Sequence, residues 1–148
     1  MWAGDAIHKN DRNRSIEASL FRPLLKIPGV SVYSLQVGRD GEAAQNFGEE
    51  VTDLAPFLGD FADTAAAMVE LDLIVSADTS VVHLAGALGK PMWTLLPFIP
   101  DWRWLLERDD SPWYPTMRLF RQQTRGDWQA VMDGVCEALK ERLANAGE

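Results

Sequence analysis

Asp78, Thr79 and Ser80, with His83 four residues beyond Thr79, are the residues of this 148-residue chain whose types and spacing could do chemistry. They follow the apolar run "LDLIV" and open a run of small residues, "VVHLAGALG". If the second run is a helix, its first backbone N–H groups lack intrahelical partners and together carry about half a positive charge. A phosphate placed there would accept those N–H bonds, and the Thr79 and Ser80 hydroxyls could add more. His83 lies one turn inward on the same face, where it could donate to a phosphate oxygen or a leaving group. A plainer reading accounts for the same letters. Asp78 is a good N-cap, His83 sits among Val82, Leu84, Ala85 and Leu88 as a core histidine would, and the stretch is then only a crossover between parallel strands.

The elements around this turn are legible. Residues 72–77 form a continuous apolar run, the kind of strand buried on both faces of a parallel sheet. A helix follows over about 79–88, with Gly89 where a left-handed cap is wanted, Lys90 near the negative dipole end and Pro91 just beyond. Gly86 inside it permits close helix–strand approach. "MWTLL" (92–96) reads as the next strand, 97–115 as an aromatic, proline-rich loop, 117–122 as a further strand, and Asp127 as the cap of a long final helix. Earlier, Ser15 followed by Ile16, Leu20, Leu24 and Leu25 predicts an N-capped helix ending before Pro28-Gly29. Residues 30–36 read as a strand, 37–50 as a loop, 51–55 as a short strand and "ADTAAAMVEL" as a helix. Alternating strands and helices of these lengths predict βαβ units with right-handed crossovers. The expected fold is therefore α/β: a single doubly wound, Rossmann-like domain with helices on both faces of a parallel sheet.

Composition narrows the function classes. A net charge of −8 disfavours nucleic acid and anionic membranes as partners. The single Cys136 allows no internal disulfide, and no Cys/His cluster suggests a metal. No apolar run approaches the ~20 residues of a membrane span, so a cytoplasmic protein is expected. Trp2-Ala3-Gly4 reads as the end of a strand breaking into a loop, which suggests part of a larger protein.

In open parallel sheets, ligands bind beyond the carboxyl ends of the strands. The residues there are Gly4 onward, Gln36, 77–80, Pro97 onward and Gln122. Trp93, Trp102, Trp104 and Trp113 fall within 21 residues, joined by Tyr114. These rings could wall a sugar site, with Asp101 and Arg103 as polar contacts, or plug a long loop. Plugging suits most of them, with Trp102 and Arg103, nearest the strand end, as the exceptions. Rings left uncovered would favour self-association.

"DTSVVHLAGALGKPMWTLLP" resembles the signature of glycosyltransferases of the heptosyltransferase type, family 9. "FADTAAAMVELDLIVSADTS", "PDWRWLLERDDSPWYPTMRLFRQ" and "GDW" extend the likeness over nearly the whole chain. They are similar to the related transferase domains that stand behind tetratricopeptide repeats in bacterial proteins. The resemblance implies one half of a GT-B architecture, the domain that holds the diphosphate of a nucleotide-sugar donor, with an N-terminal GT-B domain and possibly repeats as partners. It implies diphosphate contacts at Asp78, Thr79, Ser80 and His83. A basic residue at Arg14 is implied too, with Lys9 and Arg12 as alternatives. Gln36, Phe61 and Ala62 fall where the nucleoside is lined. Ser80 stands in place of a common glycine. The implied reaction is attack by an acceptor hydroxyl on the anomeric carbon as the diphosphate leaves. No cofactor beyond the donor is implied, and the acceptor's general base would lie on the other domain.

Two other functions compete. A nucleotide-sugar epimerase of the same fold would need a pair of carboxylates facing the sugar, and no such pair stands out. A non-catalytic binding or assembly module would fold stably without nucleotide affinity. A dinucleotide-binding domain fits poorly, because no GxGxxG follows any strand.

Overall fold

The computed structural model describes residues 1–5 and 7–146, the side chains of 39–42 excepted. The chain is mixed α/β with parallel strands. In chain order its regular elements are α1 (Asp11–Arg14), α2 (Arg22–Leu25), β1 (Val32–Ser34), β2 (Val51–Asp53), α3 (Phe61–Val69), β3 (Ile74–Ala77), α4 (Ser80–Ala87), β4 (Met92–Leu96), β5 (Met117–Arg121) and α5 (Trp128–Ala146). β1 and β2 make one parallel pair, and β3, β4 and β5 make a second parallel sheet in that order.

Every residue of β4 is buried, as its sequence, apolar but for Thr94, demands of a central parallel strand. Its side chains alternate between two cores. Trp93 and Leu95 pack with Trp2, Ile16, Leu24 and the apolar face of α5. Met92 and Leu96 pack with Met68 of α3, Val82 and Ala85 of α4, and Trp104.

The first residues lie between the two sheets. The Met1 nitrogen donates to Val75 O at 3.0 Å, and the Ala77 N–H donates to Met1 O at 3.0 Å. That is parallel pairing with Met1 opposite Ser76. On the other side, Gln36 accepts from the Trp2 and Ala3 N–H groups at 3.0 Å each and donates to Ala3 O at 3.1 Å. An amide side chain thus does what a backbone unit would do in a ladder.

The first half departs from sequence expectation in two places. The helix anticipated from Ser15 onward is instead a 3₁₀ turn at Ala18–Phe21 followed by the short α2, and α1 precedes Ser15. Pro23 has no N–H to give to the preceding turn and its ring would clash there, so the helix cannot run through it. Ser15 is not an N-cap. It follows α1, and its hydroxyl donates to Asp11 Oδ1 at 2.8 Å. Residues 39–50, expected as loop, wind into 3₁₀ turns with a break at Gly48.

The second half follows the sequence more closely. Asp60 caps α3 by accepting from the Ala62 and Asp63 N–H groups. Asp127 accepts from the Ala130 N–H at 3.0 Å and caps α5. Gly89, with φ at +68°, ends α4 in the left-handed conformation. Lys90, expected near the carboxyl end of α4, instead donates its ammonium to Val69 O at the end of α3.

Candidate functional site

A crevice of about 500 Å³ opens beyond the carboxyl ends of β3, β4 and β5, and Asp78, Pro97 and Gln122 mark the three strand ends on its wall. Arg12, Arg14, Arg103 and Arg125 line it, so a chain of net charge −8 gathers four guanidinium groups around one opening. Asp78 and Asp101 line it as well, so the four cations leave an excess of positive charge that favours an anion. The Gln122 amide oxygen accepts from the Phe98 and Gly126 N–H groups at 3.1 and 3.0 Å. Its Nε2 is buried and has no partner among the described residues. That donor has almost no accessible surface, so its missing bond is a cost borne within the fold.

Arg14 is fixed at the floor. Its Nη1 donates to Asp78 O at 3.0 Å, and its Nε lies 3.6 Å from Asp11 Oδ1. Gly4 makes room for it, since a Cβ there would sit 2.6 Å from Arg14 Nη2. Arg103 pairs with Asp101, its Nε 2.9 Å from Oδ1. Of the alternative cations, Arg12 lines the crevice and Lys9 does not.

The Asp78 carboxylate is occupied from within. Its Oδ2 accepts from Trp104 Nε1 at 2.9 Å, and Trp104 is completely buried. The Trp104 ring stacks on His83, with centroids 5.5 Å apart and planes 16° from parallel. His83 Nδ1 lies 3.1 Å from the Tyr114 hydroxyl. Burial, with help from the Arg103 charge, pushes the His83 pKa below its ordinary value, against smaller opposing pulls from Asp78 and Asp101. The lowered value favours the neutral ring, which lies against Trp104 and Tyr114. His83 is half-buried and is not among the residues that line the crevice.

Asp78 does not cap α4. Thr79 does, its Oγ1 accepting from the Val81 N–H at 3.3 Å, and Thr79 is buried. Ser80, at the first position of α4, is exposed. Gly86 makes room for Tyr114: a Cβ there would fall 2.5 Å from the phenol ring.

The remaining predicted residues lie elsewhere. Gln36 is 1 % exposed, with its amide committed to Trp2 and Ala3, so it offers a nucleoside nothing. Phe61 and Ala62, on the first turn of α3, are exposed and outside the crevice lining. Trp93 and Trp104 are core residues, while Trp102 and Trp113 are 74 % and 57 % exposed. Ile99 and Leu106 are exposed as well. Arg125 was not anticipated from the sequence. Its place one residue before the Gly126-Asp127 helix start, on the side where the strands end, was the available signal. Among the described residues there is no group of three or more His, Cys, Asp or Glu side chains able to hold a metal, and no helix long and apolar enough to cross a membrane.

No known protein family matches the chain, and no solved structure does. Protein FlbA of Caulobacter vibrioides is 31 % identical over 132 residues, which cover 85 % of this chain and 22 % of that protein. The chain therefore spans about a fifth of the length of the curated relative that it resembles.

Proposed function

We propose that this chain is the nucleotide-sugar-holding domain of a glycosyltransferase, as its likeness to family 9 enzymes implies. The observation that carries the reading is the crevice at the strand ends, lined by Arg12, Arg14, Arg103 and Arg125. A diphosphate leaving group is the anion class such a site would favour. Arg14 and Arg103 would neutralise charge developing on it, as preorganised groups that need not reorganise during transfer. The exposed Ser80 hydroxyl would add a donor at the amino end of α4, whereas Thr79 keeps its hydroxyl for the cap. Asp78 and His83 would act as positioning residues, bracing the turn between β3 and α4 through Trp104.

The topology supports the same reading. Placing residues 1–3 between β1 and β3 gives the spatial order β2, β1, 1–3, β3, β4, β5, the order of a doubly wound nucleotide-binding sheet. The exposed side chains of Trp102, Trp113, Ile99 and Leu106 would face a companion domain, or support self-association.

The test is thermal stability with UDP, ADP, GDP and TDP at fixed ionic strength, with sulfate as control. One of them at about 100 times its Kd should stabilise the fold by about 2.7 kcal/mol, a rise of several degrees. Arg103→Ala combined with Arg125→Ala should abolish the rise while leaving the unliganded melt nearly unchanged. Stable folding with no response to any of the four would refute the reading and favour an assembly module.

A further inference from the structure

Leu105 and Glu107 have φ of +53° and +55°, in the left-handed region that favours glycine. At Leu105 ψ is −167°, a combination in which a β-carbon is strained. Such a residue keeps its conformation only where the surroundings fix it. The fixing group is Arg121, the last residue of β5. Its Nε donates to Arg108 O at 2.9 Å and its Nη2 donates to Trp104 O. One guanidinium thus bridges a carbonyl before the strained pair and a carbonyl after it. We propose that Arg121 is a positioning residue: from outside the crevice it clamps residues 104–108 and so holds Arg103 at the anion site.

Arg103 lines the crevice and Arg121 does not. The segment between them is anchored at both ends. On the crevice side, Asp101 accepts from the Arg103 N–H at 3.0 Å, and the Leu105 N–H donates to Trp102 O at 3.1 Å, which closes a 3₁₀ turn at Trp102–Trp104. Trp113 Nε1 donates to Arg103 O at 3.0 Å. On the far side, the Leu119 N–H donates to Asp109 O at 2.7 Å, and Asp110 bridges Arg118 in antiparallel fashion. Leu105 and Leu106 are exposed, so burial of their side chains does little to hold the turn between these anchors. The Arg121 fork spans that gap.

Arginine suits this task because its planar group aims several N–H donors in fixed directions, whereas a lysine ammonium is a compact charge on a flexible stem. With the clamp open, Leu105 would relax to an ordinary negative φ and turn the chain two residues from Arg103. A cation fixed before its ligand arrives loses less freedom on binding, which raises affinity. The consequence for anion binding rests on the diphosphate reading of the crevice. The clamp itself does not.

The experiment uses the full isotope-labelled chain with Arg121→Gln, Arg121→Lys, and Arg121→Gln combined with Leu105→Gly. Exchange of the Leu105 N–H and the Trp113 indole resonance report the segment, and affinity for inorganic pyrophosphate reports the crevice. Arg121→Gln should speed that exchange about tenfold, shift the indole resonance and weaken pyrophosphate roughly fivefold, with the β4 amides still protected. Arg121→Lys should behave like the Gln form, since it keeps the charge and loses the fork. A Lys form that matches the wild type would make the effect one of charge and overturn the proposal. Glycine takes the Leu105 conformation without strain, so Leu105→Gly should return the indole resonance of the Arg121→Gln form toward its wild-type position and restore most of the affinity. Unchanged exchange in Arg121→Gln, or no rescue by glycine, would overturn the clamp. Loss of β4 protection in both single variants would make Arg121 a general stabilising residue and overturn it too. A wild type that binds no pyrophosphate would refute the diphosphate reading, and the exchange and indole signals would still decide the clamp.

Discussion

Asp78→Ala and Trp104→Phe, made singly and together, isolate the bond that turns the Asp78 carboxylate inward. A hydrogen bond to a buried ionised group contributes about 1.5–3 kcal/mol. Trp104 is fully buried and stacked on His83, so trimming it to Phe adds a cavity cost, for a total near ~3 kcal/mol. Asp78→Ala should cost about 2 kcal/mol, since it leaves the indole N–H buried and unpaired. The double variant should cost less than the sum by about 1–2 kcal/mol, which is the coupling of the pair. Urea unfolding followed by circular dichroism measures each term, with equal slopes confirming a common two-state transition. A second readout separates structure from ligand binding. Arg14 holds the backbone carbonyl of residue 78, not its carboxylate. Asp78→Ala should therefore keep the anion response of the crevice. Coupling below about 0.4 kcal/mol, or a variant of wild-type stability that loses the nucleotide response, would refute the inward-facing carboxylate.

Gly86→Ala tests the seat of Tyr114. Helix propensity alone would favour alanine by about 1 kcal/mol. The new Cβ, 2.5 Å from the ring, forces Tyr114 away from His83, and overpacking of this kind costs about 1–3 kcal/mol. A lowered Tm is expected, and a raised one would contradict the packing. The pH dependence of stability tests His83. Its folded pKa lies below the ordinary 6.5, so the unfolded chain binds the proton more readily. Stability is complete above about 6.5 and is lost as pH falls through the folded value. His83→Gln should flatten that slope in acid titrations of ΔG, and an unchanged slope would remove His83 as its source.

The half of the chain after residue 60 was largely legible because its strands are buried and its helices capped. "LDLIV" and "MWTLL" are each apolar but for one residue, Asp127 stands where a cap is needed, and Gly89 supplies the left-handed stop. The first sixty residues were less so. Their turns answer to Pro23, Gly48 and the packing of Trp2 on Phe21 and Phe47, and these outweigh helical spacing. At the site, the turn after β3 was visible as a turn. The exchange of roles between Asp78 and Thr79 was not, because it depends on an indole 26 residues away. Arg125 likewise gains its place only when the β5–α5 connection folds beside the ends of β3 and β4.

The Gln36 side chain imitates a peptide unit, meeting two N–H groups and one carbonyl of a segment more than thirty positions earlier. A seam made from one glutamine can be rewritten by one codon. Glutamate there would keep the acceptor and abolish the donor, and leucine would abolish both. Natural variation or deliberate engineering could therefore loosen the junction between the two halves of this protein while leaving every strand intact.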